Sequence, residues 1–157
     1  MYFWTSLFIT IPLIFSGILH MFSVRYNLFS VLTKPISISL FGANKTWRGL
    51  ILMAFFTIPG VFLARGLEQY CKDYLLVSFW GKSAVITGIL LGLGFMLTEL
   101  PNSFIKRKLG IAPGFLPNKN RAFFFFMDQA DSILGAAIVY YFYLNVPWQS
   151  LGILFLP

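Results

Sequence analysis

Ala122-Phe123-Phe124-Phe125-Phe126-Met127-Asp128-Gln129-Ala130-Asp131-Ser132-Ile133-Leu134-Gly135 places two carboxylates inside a run otherwise apolar enough for hydrocarbon. Upstream, Thr98-Glu99-Leu100-Pro101-Asn102-Ser103-Phe104-Ile105-Lys106-Arg107-Lys108 ends a second apolar run on a third carboxylate and a basic cluster. The chain has only five acidic residues, and Glu99, Asp128 and Asp131 are three of them. An acid in hydrocarbon costs several kcal/mol unless it is paired, liganded or hydrated. The apolar runs predict membrane-crossing helices, and the acids within them predict a site that offsets their burial.

Composition agrees. The 157 residues are 58% apolar and 11% charged, with a mean hydropathy of +0.78, whereas soluble domains carry about 25% charged residues. This excludes a soluble globular domain and predicts an all-α, polytopic membrane helical bundle forming one transmembrane domain over residues 1–157. The net charge of +7 does not indicate nucleic acid, because no basic segment is long or polar enough for a separate binding domain. The first twenty residues lack a basic leader and a small-residue cleavage site, so they read as a retained span. Cys71 is the single cysteine, which excludes an internal disulfide and a cysteine metal cluster.

Four spans are predicted, at about Tyr2–Phe22, Gly49–Ala64 (bent at Pro59-Gly60), Ser83–Leu100 and Ala122–Leu144. Two large polar loops, about 23–48 and 101–121, join them on one side. Pro101, Pro113 and Pro117 argue against a long regular helix in the second loop. The mixed segment 65–82 lies on the other side, with Tyr74 to Trp80 read as interfacial. The terminal apolar run is shorter than the roughly 20 residues a span needs, and it reads as a re-entrant or surface stub or, the favoured reading, as the start of a fifth helix on which the sequence stops. Gly88 and Gly92 give a Gly-x-x-x-Gly spacing, read as a helix-packing surface, and His20 reads as an interfacial histidine.

Basic residues orient the bundle. Arg25, Lys34, Lys45 and Arg48 lie in the first loop and Lys106, Arg107, Lys108, Lys119 and Arg121 in the second, against Arg65, Lys72 and Lys82 opposite. The two loops are therefore expected in the cytoplasm, with the N-terminus outside. At about 1.5 Å per helical residue, Asp128 and Asp131 then lie roughly 10 and 15 Å inward of Arg121. All three acids fall at one depth beneath the two basic loops.

Asp128 and Asp131, three apart on a helix, share a face, and two carboxylates so close need a cation or a proton between them. A divalent cation completed by substrate phosphates answers that need. A salt bridge from a neighbouring helix and an ion or proton pathway are the alternatives. Lys106, Arg107 and Lys108 follow a span as stop-transfer residues do, yet Arg107 also offers a fork that suits phosphate. Asn44-Lys45-Thr46-Trp47-Arg48-Gly49 adds amide, hydroxyl and cationic groups at a second span entrance. Gly110 and Pro113-Gly114 suit a loop that turns sharply beneath a ligand.

Cations, paired acids and apolar walls together suggest phosphate chemistry on a lipid. An ionised phosphate is already a nucleophile, so nucleotidyl transfer to it needs no Ser, Cys or His base. It needs positioning and charge neutralisation. Ser103-x-x-Lys106-Arg107, Pro113-Gly114 and Asp128-x-x-Asp131 resemble the signature of the phosphatidate cytidylyltransferases. Asn44 to Gly49 together with Glu99 to Arg107 looks like the CDP-archaeol synthase branch of that superfamily. The segment before the acids, Phe115 to Arg121, departs from the Gly-rich loop common there. The resemblance implies a Mg²⁺-dependent, CTP-dependent transfer of CMP to a membrane lipid phosphate of archaetidic or phosphatidic type, giving a CDP-lipid and pyrophosphate. It also implies a multi-pass protein of the cell membrane with a cytoplasm-facing charged cavity. By the same resemblance, Asp128 and Asp131 would hold Mg²⁺ and Lys106 and Arg107 the triphosphate. Asn44, Lys45 and Arg48 would hold a phosphate of CTP or lipid, with Ser103 and Glu99 beside them. The rival function is a small ion- or proton-coupled transporter using Glu99, Asp128 and Asp131. A CDP-alcohol phosphatidyltransferase is excluded by the absence of its Asp-Gly-x-x-Ala-Arg run.

Overall fold

A computed structural model of the chain describes residues 1–115 and 120–155. Leu116, Pro117, Asn118 and Lys119 of the second basic loop, and Leu156 and Pro157 of the terminal run, lie outside the described residues. Among the described residues seven α-helices are formed: α1 (Tyr2–Arg25), α2 (Ile38–Phe41), α3 (Trp47–Cys71), α4 (Ala84–Leu97), α5 (Glu99–Lys108), α6 (Arg121–Leu144) and α7 (Trp148–Ile153). No strand occurs among the described residues. Among the described residues four helical stretches are long and apolar enough to cross a membrane: Tyr2–Arg25, Trp47–Tyr74, Ala84–Lys108 and Arg121–Leu144.

Hydrocarbon provides no hydrophobic drive between helices, so close backbone approach must do the work. α3 packs between α1 and α4, and α6 lies on the far side of α4. Each of these contacts is made at glycine. A Cβ on Gly60 would stand 2.8 Å from the Pro12 carbonyl oxygen of α1, and a Cβ on Gly88 would stand 2.6 Å from the Ile58 Cα. Gly92 lies as tightly on Met53 and Ala54, so the Gly88/Gly92 spacing is the α3–α4 seam. Gly135 of α6 meets the backbone of Gly94 and the hydroxyl of Thr98 in the same way. Buried hydroxyls return to their own helix, Thr57 to the Met53 carbonyl at 2.6 Å and Thr87 to that of Ser83 at 2.7 Å, which satisfies them where no water is present. Outward-facing Ile18, Phe55, Phe62, Phe125 and Phe142 are exposed, as a lipid-facing surface requires.

Three sequence expectations are corrected. The second span runs from Trp47 to Cys71 rather than from Gly49 to Ala64. It continues because its charged end is satisfied locally. Arg65 donates from Nε to the Phe79 carbonyl at 3.0 Å and from Nη2 to the same oxygen at 2.8 Å, and also to the Lys82 carbonyl, while Glu68 accepts the Phe79 N–H at 2.9 Å. These contacts draw in the segment expected at the interface. Phe79 is fully buried between Phe8 of α1 and Tyr140 of α6.

The third correction matters most. Residues 99–108, read mostly as loop, form helix α5, so the third apolar stretch, expected to end at Leu100, breaks at Thr98 and continues as helix to Lys108. Pro101 lies in the first turn of α5, where its missing N–H has no intrahelical partner to lose. Thr98 joins the two helices, its hydroxyl donating to the Gly94 carbonyl at 2.9 Å.

Candidate functional site

As a helix, α5 presents Glu99, Asn102, Ser103, Lys106 and Arg107 at helical spacing along one face, and all five line a single cavity of about 280 Å³. Asp128 and Asp131 of α6 line it from the opposite side, and Asn44 and Lys45, just before α3, line its third wall. Phe41, Pro113 and Gly114 close it over. The roof turns at glycines with positive φ: Gly42 at +88°, Gly110 at +71° and Gly114 at +81°. A Cβ on Gly42 would lie 2.9 Å from the Pro113 ring and 3.5 Å from the Arg107 Nη1, so the two polar loops meet above that guanidinium.

The acids are held differently. Glu99 pairs with Lys45 and accepts the Ser132 hydroxyl at 2.6 Å. Asp128 takes the Lys106 ammonium at 2.5 Å. Asp131, 8% exposed, receives only neutral donors: the Ser132 N–H at 2.6 Å and the Ser132 hydroxyl at 3.2 Å on one oxygen, and the Asn102 amide at 2.8 Å on the other. Among the described residues it forms no ion pair. The salt-bridge alternative therefore applies to Asp128 and Glu99 but not to Asp131. Lys106, expected at the triphosphate, stands on Asp128.

Arg107 is the counterpart of Asp131. Its Nε and Nη1 are buried and have no hydrogen-bond partner. Burying a charged group without a partner costs several kcal/mol, so the cavity holds one acid wanting a cation and one base wanting an anion. Ser103 lines the cavity beside them. Arg48 is turned outward from this cavity, donating to the Asn27 side-chain oxygen at 3.3 Å. Thr46 caps α3, accepting the Gly49 N–H at 3.4 Å, so part of the Asn44–Gly49 motif serves the helix start.

Asn102 carries a role that sequence reasoning missed. It is 7% exposed, and its amide nitrogen donates to Asp128 at 2.7 Å and to Asp131 at 2.8 Å, bridging the two carboxylates. Its signal was positional, three residues after Glu99 and four before Lys106 on the α5 face. Ser132, which links Glu99 to Asp131, was also missed. His20, read as interfacial, has a buried Nδ1 with no hydrogen-bond partner and lines a second cavity.

The family model described as CarS-like: CDP-archaeol synthase matches residues 36–156, which covers α2 to α7, the second polar loop and the latter part of the first. Similar curated proteins include the CDP-archaeol synthase of Staphylothermus marinus, 36% identical over 107 residues, 66% of this chain and 48% of that protein. The CDP-archaeol synthase of Thermococcus gammatolerans is 37% identical over 80 residues, 48% of this chain and 41% of the relative. That of Methanosphaerula palustris is 32% identical over 101 residues, 64% and 54% respectively. The chain spans about half the length of the curated relatives it matches. No solved structure matches it.

Proposed function

We propose, from the premise that this chain belongs to the CarS-like CDP-archaeol synthase family, that it transfers CMP from CTP to the phosphate of a membrane lipid. The observation that carries this reading is the pair of unmatched charges in one cavity, the buried Asp131 without a cation and the buried Arg107 nitrogens without an anion. A polyphosphate that arrives with a divalent cation satisfies both at once.

In the reaction an ionised oxygen of the lipid phosphate attacks the α-phosphorus of CTP. The bond from that phosphorus to the oxygen bridging to the β-phosphate breaks. The bond's electron pair leaves on pyrophosphate, and a CDP-lipid remains. No proton has to be taken from the nucleophile. Arg107 grips the departing phosphates through its fork, and Lys106, anchored on Asp128, reaches them as a compact charge. Asn44, Lys45 and Arg48 hold a phosphate of CTP or of the lipid. Ser103 adds a hydroxyl donor, and Glu99 steadies Lys45.

Asp128 and Asp131 would hold Mg²⁺. Among the described residues no three His, Cys, Asp or Glu side chains gather closely enough to hold a metal alone. Mg²⁺ does not require that, since it commonly takes one or two carboxylates and completes its shell with water and substrate phosphates. Two carboxylates straddled by one amide, one of them lacking a cation, fit that demand. When bound, the ion would neutralise charge on the phosphates. The positive-inside bias supports a site facing the cytoplasm of a cell-membrane protein whose N-terminus lies outside. The transporter reading loses ground because beyond Asp131 α6 carries no ionisable side chain except tyrosines, so no acid continues a path across.

The test is the purified chain in nanodiscs with Mg²⁺, labelled CTP and a panel of ether- and ester-linked lipid phosphates. Labelled CDP-lipid and pyrophosphate are expected. Absence of product from every lipid phosphate overturns the reading. Asp131→Asn is expected to lose at least 100-fold in rate, and full activity in that variant removes the metal assignment.

A further inference from the structure

We infer that the lipid phosphate is received not in the cavity of Arg107 and Asp131 but in a second one of about 520 Å³ on its α1 side, where His20 helps bind the phosphate. The inference rests on the reading above and assigns its acceptor a place. The two cavities share Asn44, Lys45 and Glu99. The Lys45–Glu99 ion pair is therefore a partition with a chamber on each side.

The chambers differ in chemistry. The first gathers Asn102, Ser103, Lys106, Arg107, Asp128 and Asp131, a polar set suited to several phosphates and a cation. The second has mostly apolar walls, supplied by Met21 and Val24 of α1, Met53 of α3 and Phe95 and Met96 of α4. Into those walls are set His20, Lys45 and Arg48. Its one acid, Glu99, is already engaged by Lys45 and Ser132. One anionic head on a long apolar body fits such a lining, and a nucleoside triphosphate does not.

Two polar groups there lack a strong partner. The His20 Nδ1 is buried and has no hydrogen bond. Arg48 has only contacts of 3.3 Å to Asn27 and 3.5 Å to the Leu28 carbonyl, the second at the limit for a hydrogen bond. Two glycines border the chamber. A Cβ on Gly17 would meet nothing within 4 Å, and one on Gly49 would come to 3.0 Å from the Met96 methyl and 3.8 Å from the His20 Cε1. Methionine walls re-pack around varied chains, as a lipid tail requires. Lys45, the cation common to both chambers, then stands where the acceptor phosphate meets the nucleotide, and Glu99 positions it there.

His20→Gln and Gly17→Leu test this, the first altering a donor and the second filling the chamber. Both are expected to raise KM for the lipid phosphate about tenfold, for His20→Gln near the effect of one lost hydrogen bond, with KM for CTP changed less than about twofold. A parallel arm measures equilibrium binding of a short-chain lipid phosphate, of inorganic phosphate and of CTP to the purified chain by calorimetry. Lipid phosphate binding that weakens in both variants while CTP binding is kept supports the subsite. Inorganic phosphate binding as tightly as the lipid phosphate overturns it, as does equal loss of CTP binding, or no effect of either variant. A wild-type chain that binds the lipid phosphate with this sensitivity but makes no CDP-lipid overturns the proposed reaction and leaves the subsite standing.

Discussion

Asn102 is the residue whose removal tests the arrangement of the site most directly. Among the described residues its amide is the only group that hydrogen-bonds both Asp128 and Asp131, at 2.7 and 2.8 Å. Asn102→Ala deletes both contacts and leaves the helix intact, since alanine favours a helix interior. A hydrogen bond to a charged group contributes about 1.5–3 kcal/mol. Two at the lower bound amount to about 3 kcal/mol, or roughly 100-fold at 1.4 kcal/mol per decade. Asp128 keeps Lys106, so the loss falls chiefly on Asp131, left with the Ser132 N–H as its main donor. The expected result is a fall of about 100-fold in kcat/KM for CDP-lipid formation, with a higher Mg²⁺ concentration needed for half-maximal rate. Thermal unfolding followed in parallel separates this from collapse of the bundle. A correctly folded Asn102→Ala chain within threefold of the parent rate would refute the claim that the bridge organises the carboxylates.

Two further outcomes test the framework that sets the site's depth. Gly135→Ala forces a methyl onto the Gly94 carbonyl and the Thr98 hydroxyl, so it is expected to destabilise the chain by roughly 1–3 kcal/mol and to cut activity by moving Asp131, one turn away. Gly152→Ala, which meets nothing within 4 Å, is the matched control, and a melting shift as large there would refute the argument. Arg65→Ala removes the donors that hold the Phe79 and Lys82 carbonyls, so faster protease cleavage within residues 75–82 is expected at unchanged CMP transfer. Unchanged cleavage would show that the Glu68 contact to Phe79 suffices.

The acids were legible because hydrocarbon makes a charge costly, and that cost is visible in a one-dimensional string. Glu99, Asp128 and Asp131 stood out, and the structure gathers all three around one cavity. The Gly88/Gly92 seam was legible for a related reason, since small residues at helical spacing have few other uses in an apolar run. Asn102 was not legible, because a neutral amide beside a proline raises no energetic alarm. Reading Pro101 as a helix breaker turned the whole stretch into loop and dissolved the periodicity that marks it. The burial of Phe79 was hidden for another reason. It depends on Arg65 and Glu68, two charges whose partners are backbone groups of a distant segment, and no local pattern announces such partners.

Once α5 is a helix, the fold gives the basic cluster a geometry that a flexible loop lacks. Lys106 and Arg107 are adjacent in sequence but differ in state, the first neutralised by Asp128 and the second without an anion. Asn102 reaches Asp131 with an uncharged amide, which leaves Asp131 without a cation among the described residues. The amide spaces the two carboxylates without supplying charge, so the cavity keeps its demand for a cation. A lysine at that position would remove the demand, which makes Asn102 as much a condition of the proposed chemistry as the acids it bridges.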